Sequence, residues 1–72
     1  MTRINRKVWS IIEKNNLNNV QVITIINTFI SSVTVVFSSC KDYKIFVRQF
    51  EHKYGIMGAK VFPERKKIIW EN

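Results

Sequence analysis

An uncharged run of 26 residues, 15–40, is the sequence feature that most limits what this 72-residue chain can fold into. As a helix, the run would have a narrow polar stripe and an otherwise apolar circumference, so it would have to be buried on most sides. As two strands, 20–26 and 33–38, it would use its many β-branched residues. As a membrane span it is long enough and has basic flanks. Gln21, Asn27 and the frequent Ser and Thr side chains disfavour a span and are accommodated more easily by a dimer-core helix. We therefore rank the helix first, the strands second and the span third.

Both flanks of the run have regular apolar patterns. Residues 1–14 place apolar side chains three or four positions apart, as an amphipathic helix does. Residues 42–54 carry an aromatic stripe at helical spacing, with Asp42 as N-cap and Gly55 as stop, but several of these aromatics would also share one face of a strand. The tail predicts a β-hairpin of 59–62 and 67–70, joined by a turn that begins at Pro63.

The charge of the chain indicates the class of its partner. Twelve Lys and Arg residues against five Asp and Glu residues give a net charge of +7 at pH 7. Such an excess favours a polyanion, with nucleic acid first and an anionic membrane second. The length allows one domain, 1–72, and a chain of this size buries only about 60% of its unfolded surface. Because a single core of this size is only marginally stable, we expect oligomerisation to bury further apolar surface.

Few residues are available for chemistry. Cys40 is the single cysteine and His52 the single histidine, too few for a four-ligand zinc site. Gly55 and Gly58 belong to Gly-Ile-Met-Gly, which lacks the Lys-Ser or Lys-Thr of a phosphate-binding loop. We therefore expect neither a cofactor nor a metal, and no enzymatic activity.

The chain carries Glu-Lys-Asn-Asn-Leu-Asn at 13–18, Lys-Ile-Phe-Val-Arg-Gln-Phe at 44–50 and Val-Phe-Pro at 61–63. Taken in order, these segments resemble the HU and integration host factor family of DNA-bending proteins, in which residues 13–18 correspond to the end of the first helix and the loop after it. Residues 44–50 resemble the first strand of its DNA-facing saddle, and 61–70 the strand that returns from its DNA-binding arm. The arm itself is shortened to 55–60, and the closing helix is absent. The apolar positions of the family's dimer-forming second helix are matched by Ile26, Phe29, Ile30, Val33 and Phe37.

The resemblance implies a two-fold dimer, with the second helices as its core under a small basic sheet. The expected fold is α+β: an N-terminal helix, a long apolar helix, then a small antiparallel sheet that ends in the C-terminal hairpin. The expected function is binding of DNA, or of RNA, through the phosphate backbone, with little sequence preference and little bending because the arm tip is missing. We expect a cytoplasmic protein of a bacterial or infected host cell. The expected phosphate contacts are Lys44, Arg48, Lys53, Lys60, Arg65, Lys66 and Lys67. Tyr54 or Trp70 could stack on exposed bases, but core packing is the favoured interpretation of the aromatic residues.

Other functions remain open at this point. If 42–54 is a helix, the order α-β-β-α-β-β gives a small protein-interaction module, which could dock on an acidic partner as a regulator or inhibitor. The same order fits a modified winged helix-turn-helix that would still bind DNA. The third alternative is a membrane protein that spans the bilayer with 20–40.

Overall fold

The computed structural model describes residues 2–27, 29–56 and 58–71, with only the backbone of Thr2. Two helices pack on one face of a four-stranded antiparallel sheet, so the predicted α+β class is confirmed. Along the chain the elements are α1 (Thr2–Lys14), β1 (Val20–Ile26), β2 (Ser31–Phe37), α2 (Cys40–Tyr54), β3 (Ala59–Phe62) and β4 (Lys67–Glu71). The strand order across the sheet is β1-β2-β4-β3, and a short 3-10 turn, Pro63–Arg65, joins β3 and β4.

The long apolar helix expected across the uncharged run is wrong, and the strand alternative holds. β1 and β2 form an antiparallel hairpin whose register runs from Val20 opposite Phe37 to Ile26 opposite Ser31. β-branched side chains fill most of both strands, and they favour extended backbone because their χ1 freedom is restricted in a helix. At the turn, the side-chain Oδ1 of Asn27 accepts the backbone N–H groups of Phe29 at 2.9 Å and Ile30 at 2.6 Å.

The membrane-span alternative is also wrong, because 20–40 contains this hairpin and only the first residue of a helix. Among the described residues, no helix has the length and apolar character needed to cross a bilayer.

The ambiguous segment after the hairpin is helical. α2 begins at Cys40, and its N-cap is Ser39 instead of the predicted Asp42; the Ser39 hydroxyl accepts the Asp42 N–H at 3.3 Å. Gly55 ends the helix as predicted, with φ of 79°, a region that glycine enters without steric cost. Because the aromatic residues recur at helical spacing, three of them lie on one side of α2 and are buried in the core (Tyr43, Phe46 and Phe50).

The core lies between the helices and one face of the sheet. Aromatic rings form its centre: the Phe46 ring centroid is 5.2 Å from that of Phe37, and the Phe50 centroid is 4.9 Å from that of Trp70. The fully or nearly buried apolar residues are Val8, Ile11, Ile12, Leu17, Val33, Val35, Phe37, Tyr43, Phe46, Phe50, Ile68 and Trp70.

No helix of the described part covers the opposite face of the sheet, which we call the open face. Alternation along the strands places Ile23, Ile25, Lys60, Lys67 and Ile69 on it.

Candidate nucleic-acid interface

Most of the positive charge belongs to the helices. Within the bounds of α1 and α2 there are eight Lys and Arg residues against three carboxylates. The hairpin of β3 and β4 holds four cations against two carboxylates. The helical cations are Arg3, Arg6, Lys7, Lys14, Lys41, Lys44, Arg48 and Lys53, and those of the hairpin are Lys60, Arg65, Lys66 and Lys67.

The topology brings the start of α2 and the β3–β4 turn to the same end of the molecule. The Phe37 N–H donates to the Lys66 carbonyl at 2.9 Å, and α2 begins only three residues after Phe37. Lys66 itself has φ of 54°, in the left-handed region, and closes the 3-10 turn by donating its N–H to the Pro63 carbonyl. The cations at this end are Lys41 and Lys44 of α2, Arg65 and Lys66 of the turn, and Lys67 at the start of β4; we call this set the basic end.

The basic end contains four of the seven predicted phosphate contacts. Arg48 lies one helical turn after Lys44 on the same solvent-facing side of α2, and both are exposed. Lys41 was missed by sequence reasoning. The sequence signal for Lys41 is its spacing from Lys44 and Arg48, which places all three on one helix face. That signal can be used only once α2 is known to begin at Cys40.

The remaining two predicted contacts lie elsewhere. Lys53 is in the last turn of α2, with its Nζ 5.3 Å from the centroid of the Tyr54 ring. Lys60 is on the open face, where its Nζ is 3.4 Å from the Glu71 Oε2, the single ion pair among the described residues. The predicted set is therefore divided between the basic end and two other places.

Two carboxylates accompany the five cations of the basic end. Asp42 accepts the Asn18 N–H at 3.4 Å from its place in the first turn of α2, where the helix dipole also favours a negative charge. Glu64 lies in the 3-10 turn and is exposed. Neither forms an ion pair within the described residues, so the basic end keeps a net charge of +3.

The two aromatics considered for base stacking are differently placed. Trp70 is only 4% exposed and packs in the core, so the favoured interpretation is confirmed for it and the stacking alternative is wrong. Tyr54 is half-buried where α2 ends, and the Nζ of Lys7 is 5.1 Å from its ring centroid. A hydrogen bond from Ser10 lowers the pKa of the Tyr54 phenol, more than the nearby Lys53 and Lys7 do. This tyrosine belongs to a contact between the helices and not to the basic end.

The remaining chemistry-bearing residues are scattered. Cys40 is a free, exposed thiol, and His52 is exposed on α2. Within the described ranges no three His, Cys, Asp or Glu side chains come together as a metal site would require. Burial, and secondarily Cys40, raises the pKa of the Tyr43 phenol, which therefore stays protonated near neutral pH.

The positions that resemble the dimer-forming helix of the HU family lie in the β1–β2 hairpin or its turn, so any DNA binding has to be argued from the surface instead. The chain matches no family model, no curated protein and no solved structure.

Proposed function

We propose that the chain binds nucleic acid through the phosphate backbone, and that the basic end is the surface that makes the contacts. The observation that supports this most directly is the convergence of cations that belong to two parts of the fold and lie more than twenty residues apart in the chain. Lys41 and Lys44 come from α2, Arg65 and Lys66 from the turn between β3 and β4, and Lys67 from the start of β4. None of the five has an ion-pair partner among the described residues.

The spacing of cations along α2 suits contacts with a phosphate backbone. Lys44 and Arg48 are separated by about 6 Å along the helix axis at 1.5 Å per residue. This is close to the spacing of neighbouring phosphates along one strand. Contacts of this kind position a protein without reading bases, so little sequence preference is expected. Contacts confined to phosphates insert no side chain between base steps, so strong kinking of a duplex is not expected.

The binding should depend steeply on salt. If four phosphates are neutralised, the logarithm of the association constant falls by about 3.6 per decade of salt, which is about 150-fold between 50 and 200 mM. The measurement is fluorescence anisotropy of a labelled duplex and of the matching single strand, each titrated with protein at several salt concentrations. The form that binds more tightly identifies the preferred nucleic acid.

A pair of double variants locates the surface. Lys44→Ala with Arg65→Ala removes one cation from each element of the basic end, and should reduce the salt dependence by about 1.8 on the same scale. Arg3→Ala with Arg6→Ala is the matched control: it removes two exposed cations from α1, away from the basic end. The control should leave the salt dependence unchanged.

Two results would overturn the proposal. An equal loss in both double variants would mean that binding follows net charge and not the basic end. An absence of binding to both strand forms at low salt would remove nucleic acid as the partner. An acidic protein surface would then be the polyanion to test, as the interaction-module alternative requires.

A further inference from the structure

The two edges of the sheet differ in how they are protected. β3 is short, carries Lys60 and is followed by Pro63, all features that discourage pairing with another strand. β1 is seven residues long, with the sequence Val-Gln-Val-Ile-Thr-Ile-Ile, and has no charge, no proline and no bulge in its register with β2. An exposed edge of this kind is a template for another strand.

The free backbone groups of β1 can be identified from the hydrogen bonds at its two ends. The Asn27 N–H donates to the Ile30 carbonyl, and the Ser38 N–H donates to the Asn19 carbonyl. In an antiparallel ladder the bonded residues alternate, so the odd-numbered residues between 19 and 27 bond to β2. The even-numbered residues direct their N–H and C=O groups away from the sheet. They are Val20, Val22, Thr24 and Ile26.

Apolar side chains surround this edge. The Thr24 hydroxyl donates to the Asn5 side chain of α1 at 3.1 Å, and Trp9 lies one helical turn after Asn5 on the same side of α1. Trp9 is 42% exposed, and at the turn Phe29 is 91% exposed. The large exposed apolar side chains on this side of the molecule are Trp9, Ile23, Ile25, Ile26, Phe29 and Ile30. An interface of standard size would take about 800 Å² from each partner. That is about one sixth of the 5144 Å² surface of the chain.

We propose that β1 pairs with the β1 of a second copy, so that two sheets join into one of eight strands. The choice of a second copy follows from charge. A chain with a net charge of +7 repels its own copies through most of its surface, and the uncharged run is where two copies can approach without that cost. A strongly acidic partner would find no cation to pair with along β1. The proposal goes beyond nucleic-acid binding and does not depend on it.

The self-pairing has one register that uses the whole strand. A two-fold axis through Ile23 places Val22 opposite Thr24 of the second copy and Val20 opposite Ile26. All four residues with outward backbone groups are then bonded, and Ile23 meets its own copy on the open face. The predicted dimer therefore forms through the strand edge and not through a helix.

The test begins with the mass of the chain in solution, without nucleic acid. Sedimentation equilibrium over a concentration series should show a dimer of the 8.6 kDa chain. Ile23→Lys places two like charges at the axis and should raise the dissociation constant at least about tenfold, or about 1.4 kcal/mol. Val61→Lys is the control for an added lysine in an edge strand: Val61 is 37% exposed, against 40% for Ile23, and lies in the opposite edge strand, on the helix-facing side. It should leave the dimer unchanged.

A charge-swap experiment separates the interface from simple loss of stability. Ile23→Glu and Ile23→Lys should each be weak dimers alone, but an equimolar mixture should form the mixed dimer, because opposite charges meet at the axis. Native mass spectrometry distinguishes the three species. A monomeric wild-type chain throughout the concentration series would overturn the proposal. So would an Ile23→Lys dimer as tight as the wild type, equal effects of Ile23→Lys and Val61→Lys, or a mixture without mixed dimers.

Discussion

Truncation of Phe46 and of Phe29 distinguishes the observed fold from a fold built on one long apolar helix. In the structure, Phe46 is fully buried and Phe29 is 91% exposed at the β1–β2 turn. In a protein with a dimer-forming helix across the uncharged run, Phe29 would instead be a core residue. Truncation of Phe29 therefore has opposite expected outcomes in the two folds, and truncation of Phe46 gives the loss expected at a buried position.

The magnitude for Phe46 follows from its neighbours. Its ring centroid is 5.2 Å from Phe37, 5.5 Å from Phe50 and 6.5 Å from Trp70, so truncation empties the middle of the aromatic cluster. Phe46→Ala should cost about 4 kcal/mol, within the usual range for a buried phenylalanine. A domain of this length has a total free energy of unfolding of about 4–11 kcal/mol, so the variant is near the limit of folding. Phe46→Leu, at about 1.5 kcal/mol, keeps the comparison measurable.

Phe29→Ala should change the free energy of unfolding by less than about 0.5 kcal/mol, as an exposed residue does. The assay is urea unfolding followed by far-ultraviolet circular dichroism, at a concentration low enough that the monomer predominates, since Phe29 lies beside the proposed dimer edge. A large loss for Phe29→Ala together with a negligible one for Phe46→Leu would refute the packing of α2 on the sheet.

Two further predictions concern the helix ends and the tyrosines. Ser39→Ala removes the hydroxyl that accepts the Asp42 N–H at the start of α2, and should lower the free energy of unfolding by about 1 kcal/mol in the same urea assay. Ser38→Ala is the control, because Ser38 is exposed and does not cap the helix, and it should have little effect. In a spectrophotometric titration Tyr54 should ionise before Tyr43, because hydrogen bonding from Ser10 lowers the pKa of Tyr54 and burial raises that of Tyr43. Since the folded-state pKa of Tyr54 is below its unfolded value of 10.0, its stabilising contribution is complete above pH 10 and is lost as the pH falls through the folded-state pKa. Ser10→Ala should delay the first ionisation, and an unchanged first step would contradict the assigned cause.

The elements with local patterns could be predicted from the sequence. α1 follows from the spacing of its apolar residues, and the β3–β4 hairpin follows from two short β-type runs around Pro63. The fold class and these two elements agree with the structure. The helix α2 was ambiguous because Phe46, Phe50 and Tyr54 recur every four residues, a spacing that satisfies both a helix face and a strand face. The tertiary contacts of Phe46 with Phe37 and Trp70 decide in favour of the helix.

The candidate site could be predicted only in its residue types. Lys44 and Arg65 lie close to the same end because β4 pairs with β2, with Lys67 opposite Val36. Pairing between strands that are thirty residues apart depends on the packing of the whole sheet, and no periodicity in the sequence encodes it. Lys53 and Lys60 have the same charge as the others but belong to other surfaces, so composition alone overstated the size of the site.

The uncharged run was misinterpreted for a physical reason that also bears on the dimer. A lack of charge over 26 residues indicates burial, and a buried helix is one way to obtain it. In the structure, β2 is a central strand with Val33, Val35 and Phe37 in the core. Burial therefore explains why the half of the run that forms β2 has no charged residue. β1 is an edge strand, where charged side chains usually prevent association, and its lack of charge is not explained by burial within one chain. Pairing with a second copy would supply the missing burial. The prediction of a buried, self-associating segment would then be right for β1, although the predicted helix is wrong.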